Sequence, residues 1–241
     1  MGDPIESSNS GSLQDTSQPT VVTAPSKANA TFRVLVFSVL LAAGAAGLLV
    51  WGPVAGRGPV LNLVSHHPAV AGLLIITLLI ITFAAVVLAP LSVHYRGQTY
   101  MFGLSEVPLL LGLVFAAPAV LVVSRMIGEA FAFGAVRRQS PLKAAFNLSS
   151  DAMSTVIAII VYQALLGSLG GAKVAGGPLG WAAGAVALSA AFLYGHVAVA
   201  IVVRLHGYVQ QRKYGFEFTT VGLVLVSSIA LALVVLDAAS S

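Results

Sequence analysis

The sequence contains no cysteine, so it forms no disulfide and offers no thiolate to a metal or a reaction. Charge is also scarce. Only 8% of the residues are Asp, Glu, Lys or Arg, against about 25% in soluble domains. No glycine-rich nucleotide loop, zinc-binding helix pair or serine nucleophile elbow occurs, and the polar connections are too short to form a catalytic domain. The chain is therefore not expected to be an enzyme or to carry a cofactor or metal. What is abundant is apolar surface, with 58% hydrophobic residues in a chain of 241. A soluble domain of this size could not hide so much of it, so lipid must be the solvent for much of the chain. The formal charge of +4 does not indicate nucleic acid. The basic residues sit at the ends of apolar runs, where membrane topology accounts for them.

Residues 1–32 are rich in Ser, Thr, Gln, Pro and Gly and poor in large apolar side chains. They are expected to form a disordered cytoplasmic tail, with residues 33–241 as the transmembrane helical domain. The tail lacks the basic start and short apolar core of a signal peptide. Met1-Gly2 would suit myristoylation, but Glu6 stands where Ser or Thr is required.

A spanning helix needs about 20 apolar residues. Such segments run from about Val34 to Trp51, Ala69 to Val93, Ala145 to Leu166, Leu179 to Val203 and Phe218 to Leu236. The stretch Leu104–Val136 would be about 50 Å long as one helix, too long for a core of about 30 Å without steep tilt. Pro118 interrupts it, and an internal proline breaks or kinks a helix. Two short segments, Leu104–Ala116 and Pro118–Val136, fit better, the first short enough to be a half-helix. The predicted fold class is an all-α polytopic bundle of about seven segments, with a broken short-helix pair around Pro118.

Charge placement favours this count. With the N-terminus inside, the cytoplasmic connections hold Lys27, Arg33, Arg96, Arg137, Arg138, Lys143, Arg204, Arg212 and Lys213. Only Arg57 and Lys173 fall outside, and Arg125 lies within a segment. A single span over Leu104–Val136 would move Arg137, Arg138 and Lys143 outside, against the positive-inside rule. The C-terminus is then outside the cell membrane.

An ionisable group at the centre of a spanning helix costs about 2.5–3.5 kcal/mol or more, so it pairs or faces a cavity. Arg125 and Glu129 are one turn apart on one helix face, and Glu106 opens the preceding short segment. These three are the candidate polar pocket or ion-pair network. Arg137, Arg138, Lys143, Asn147 and Asp151 form a second candidate cluster at the cytoplasmic interface. His196 lies alone inside its segment, and haem would need a second axial ligand from a facing helix. His66-His67 is a poor metal pair by itself and could at most sense pH. Gly180 and Gly184, and Gly167 and Gly171, have the spacing of close helix approach. The expected partners are the lipid bilayer, a cytoplasmic or membrane signalling protein, and a second copy of the chain in a homo-oligomer.

The stretch Phe102-Gly-Leu-Ser-Glu-Val-Pro-Leu-Leu-Leu-Gly-Leu113, then Ser124-Arg-Met-Ile-Gly128, then Arg137-Arg-Gln-Ser-Pro-Leu-Lys143 and Phe146-Asn147, resembles the N-terminal membrane sensory region of actinobacterial cyclic-di-GMP signalling proteins. Those proteins carry GGDEF and often EAL domains after the membrane region. The resemblance covers roughly residues 95–205 and rests on Glu106, Pro108, Gly112, Arg125, Gly128, Arg137, Arg138, Lys143, Phe146 and Asn147. It implies a membrane signal-input module. The output domain is not among these residues, so no cyclase or phosphodiesterase activity carries over. The competing expectation is a small transporter or substrate-capture subunit, because broken helices with buried charges also mark transport sites.

Overall fold

The computed structural model describes residues 27–52, 68–88, 91–95, 98–102, 105–175 and 177–205, with helical positions at 222, 226, 229, 230, 233 and 234. Among the described residues six α-helices run in chain order: α1 Lys27–Trp51, α2 Pro68–Leu88, α3 Glu106–Phe115, α4 Pro118–Phe131, α5 Pro141–Leu169 and α6 Pro178–Leu205. Proline supplies the first residue of α2, α4, α5 and α6, where its missing N–H is not needed and its φ is already helical. Gly170 ends α5 with φ 117°, the left-handed conformation that glycine adopts without penalty.

This is a membrane protein. Among the described residues, four helical stretches are long and apolar enough to cross a bilayer: Ala28–Trp51, Pro118–Val136, Pro141–Leu169 and Pro178–Leu205. Ile75–Leu88 and Glu106–Phe115 are shorter apolar helices. The expected seventh segment, Phe218 to Leu236, falls almost wholly outside the described residues, as do His66-His67.

Two expectations are corrected. Lys27–Phe32, assigned to the disordered tail, form the first turns of α1. The second segment stops at Leu88 and does not reach Val93. The bundle is helical as expected, and between α2 and α3 the strands Leu91–Tyr95 (β1) and Gln98–Phe102 (β2) add a two-stranded antiparallel hairpin.

The break at Pro118 is present as expected. Ala117 is extended with ψ 146°, since the residue before proline is driven out of the helical region. α3 and α4 then fold against each other. Gly112 permits this, because a Cβ there would run into the Leu121 side chain. Of the glycine pairs, Gly180 and Gly184 do allow close packing, against Ala175 and Leu110 respectively. Gly167 and Gly171 do not, as neither has a neighbour within 4 Å of a would-be Cβ.

The main core gathers Phe83, Leu110, Leu121, Val156, Ile159, Tyr162 and Leu188 from α2 to α6. A smaller core joins Val34 and Leu41 of α1 to Phe146 and Ala198. The start of α1 thus packs on the start of α5 and the end of α6. This arrangement collects Arg33, Arg137, Arg138, Lys143 and Arg204 at one end of the bundle, while Lys173 lies in the 3₁₀ turn Gly171–Val174 that follows α5 at the opposite end.

α4 finishes in a π-helical turn, Ala132–Val136. The Arg137 N–H donates to Ala132 O at 2.9 Å, and the Gln139 N–H to Phe133 O at 3.0 Å. Arg138 follows with φ 45°, a left-handed conformation uncommon outside glycine.

Candidate functional site

Arg125 on α4 is 5% exposed and Glu129, one turn later, is 1% exposed. The Arg125 Nε donates to Glu129 Oε1 at 2.7 Å. The other arm of the guanidinium crosses to α5. Its Nη1 donates to Thr155 Oγ1 at 3.0 Å, and its Nη2 lies 3.3 Å from Asp151 Oδ1. The Thr155 hydroxyl in turn donates to the Asp151 carbonyl at 2.7 Å. On the remaining side the Arg125 Cζ stands 5.5 Å from the Phe83 ring centroid on α2, within cation–π range. One buried cation therefore ties three helices together. Such a charge persists in an apolar interior only when paired and hydrogen-bonded.

At 1.5 Å per residue, Arg125 lies about 16 Å back from Val136 and Asp151 about 15 Å in from Pro141, so the two meet at matching distances from the joint between α4 and α5. A bilayer core is about 30 Å thick. α3 has 10 residues, about 15 Å, so it fits half of that thickness. Its first residue, Glu106, shares a cavity with Arg125 and Asp151.

Two cavities flank the network. The first, of about 310 Å³, lies between α3, α5 and α6. Glu106, Ser150, Asp151 and Ser154 form its polar side, and Phe146, Leu188, Phe192 and His196 its other walls. The second, of about 350 Å³, is bounded by Val86, Glu129, Phe133, Arg137, Gln139 and Lys143 among others. Ser105, Arg125, Asn147 and Asp151 border both. Two carboxylate oxygens, Glu106 Oε2 and Glu129 Oε2, are buried without a hydrogen-bond partner.

Of the expected trio, Arg125 borders both cavities, Glu106 borders the first and Glu129 the second. The expected second cluster is not separate from it. Asp151 belongs to the buried network, and Asn147 borders both cavities while its Nδ2 donates to Gln139 Oε1 at 3.1 Å. Arg137 and Lys143 are exposed and reach the second cavity. Arg138 borders neither cavity. Sequence reasoning missed Thr155, Gln139 and the Phe83 ring. Thr155 was readable, since it follows Asp151 by one turn on the same face. His196 borders the first cavity, with its Nδ1 3.0 Å from the Phe192 carbonyl. Among the described residues no group of three His, Cys, Asp or Glu is arranged to hold a metal ion.

No protein-family model, curated protein or solved structure matches this chain.

Proposed function

We propose that this chain is a membrane-embedded signal-input module that binds a small polar solute beside Arg125 and passes the change to the basic joint at residues 137–143. The observation carrying this reading is the wall of the second cavity. It runs without interruption from the buried Arg125–Glu129 pair to the exposed Arg137 and Lys143. A solute that alters the hold of Arg125 on Glu129 or Asp151 acts on the last turns of α4 and the first of α5, the two helices that the joint connects. A cytoplasmic or membrane partner would read the joint. Arg33, Arg137, Arg138, Lys143 and Arg204 at one end of the bundle favour a cytoplasmic location for that end. The sequence resemblance to membrane sensory regions points the same way.

The test uses the full chain in detergent with Arg138→Cys as its single, fluorophore-labelled cysteine. A panel of small polar solutes is screened by thermal unfolding, and each stabilising solute is then tested for a fluorescence change. A solute that stabilises the protein and shifts the probe supports the reading. A panel with no stabilising member sinks it.

A second reading is a small transporter. It is favoured by the short α3 beginning beside a buried charged network, an arrangement shared with transport sites. Uptake of a stabilising solute into proteoliposomes, with no movement of the residue-138 probe, would replace the first reading with this one.

A further inference from the structure

The two cavities hold more carboxylate than their buried cation can satisfy. Arg125 is the one basic side chain buried there among the described residues, and its single charge faces three carboxylates: it contacts Glu129 Oε1, Asp151 Oδ1 and Thr155 Oγ1, and it shares the first cavity with Glu106. Glu106 retains a buried oxygen with no donor. Independently, Glu129, only 1% exposed, keeps its Oε2 without a donor against the adjoining cavity. Buried acceptors are normally paired, so the Glu106 oxygen calls for an N–H or O–H donor from an occupant of the first cavity, and Glu129 adds negative charge on the far side of Arg125. The volume of the first cavity, about 310 Å³, is at the small end for ligand sites. Besides its polar residues it is lined by the apolar and aromatic side chains Phe146, Leu188 and Phe192.

Resting on the binding-cavity reading above, the geometry points to a small organic ammonium ion, with an apolar body, as the occupant of the first cavity, held by Glu106. The ammonium supplies N–H donors to Glu106 Oε2 and offsets the excess negative charge around Arg125. Its alkyl or aryl body lies against Phe146, Leu188 and Phe192. A metal ion is disfavoured by the missing ligand set. Entry is from the side of the first cavity, since Arg137 and Lys143 at the second repel a cation.

The probes are phenethylammonium, phenethyl alcohol and phenylacetate, which share a body and differ in the head group. Thermal unfolding of the full chain in detergent is followed with each. Phenethylammonium should raise the midpoint saturably, and the other two should not. Glu106→Gln should abolish the shift, and Lys173→Gln, at the opposite end of the bundle, should leave it intact. Phe192→Leu should weaken the apparent affinity about two- to tenfold, the range for the loss of one aromatic pair with the phenyl body. That variant also keeps the test decisive if Glu106→Gln fails to fold. A shift that survives Glu106→Gln, or is unaltered by Phe192→Leu, overturns the proposal. So does an equal shift with phenethyl alcohol. A shift with phenylacetate alone overturns the ammonium while leaving the binding cavity in place. No shift with any of the three also overturns it, and the broader solute panel then decides the cavity separately.

Discussion

Replacing Arg125 with leucine removes one cation and strands its partners. Two estimates of the damage compete. Counted as hydrogen bonds within a membrane protein, at about 0.6 kcal/mol each, the contacts to Glu129, Thr155 and Asp151 sum to about 2 kcal/mol. Counted as a buried ion pair broken from one side, the loss is about 3–5 kcal/mol, because the surviving charge is left uncompensated. The second figure should prevail. Glu129 is 1% exposed and cannot turn its carboxylate to water. Asp151 adds little to the difference, since its side chain is 31% exposed and exposed pairs are worth about 1 kcal/mol or less. The assay is reversible denaturant unfolding in detergent micelles. Arg125→Leu should lower stability by about 3–5 kcal/mol. Adding Glu129→Gln should recover a substantial part of that loss, because the orphaned charge is then gone. A single variant that loses under about 1 kcal/mol, or a double variant less stable than the single, would refute the claim that Arg125 and Glu129 compensate each other.

Three further outcomes are expected. Gly128→Leu should destabilise the protein by about 1–3 kcal/mol through overpacking, because a Cβ at Gly128 would stand 2.6 Å from the Ile80 carbonyl oxygen; Gly47→Leu, with nothing within 4 Å, should change the same unfolding midpoint little. Because the chain has no native cysteine, single-cysteine variants report sidedness cleanly. In cells, Arg138→Cys should react with an impermeant maleimide only after permeabilisation and Lys173→Cys without it, and the reverse pattern would refute the orientation. Asn147→Leu removes the hydrogen bond to Gln139 and should speed amide exchange at residues 137–140 several-fold while leaving α5 protected, as read by hydrogen exchange.

Local signals in the chain carried far, and long-range ones did not. The break at Pro118 was legible because proline acts on its own neighbours. The Arg125–Glu129 pair was legible because one helical turn sets it. The union of Asp151 with that pair was hidden. It depends on how α4 crosses α5, which no spacing encodes. Hydropathy also shortened the fifth helix. Lys143 and Asn147 made the segment seem to begin at Ala145, whereas α5 starts at Pro141. The hairpin was overlooked for a related reason. Leu91 and Val93 extend an apolar run, and the alternation of Leu91, Ser92, Val93, His94 and Tyr95 before Arg96-Gly97, a strand signature, was absorbed into it.

The π-helical turn Ala132–Val136 holds one residue more than an α-helical turn would. Its five residues are wound into about one turn, so the Arg137 N–H reaches the Ala132 carbonyl, the acceptor that a regular helix would offer to the residue before it. Deleting one residue from this turn would leave Arg137 on that same carbonyl in ordinary α-helical winding, and α4 up to Glu129 would keep its register. The extra residue is therefore slack absorbed inside the last turn of α4, which lets the chain lengthen there without turning the basic joint away from the helix that carries the buried charges.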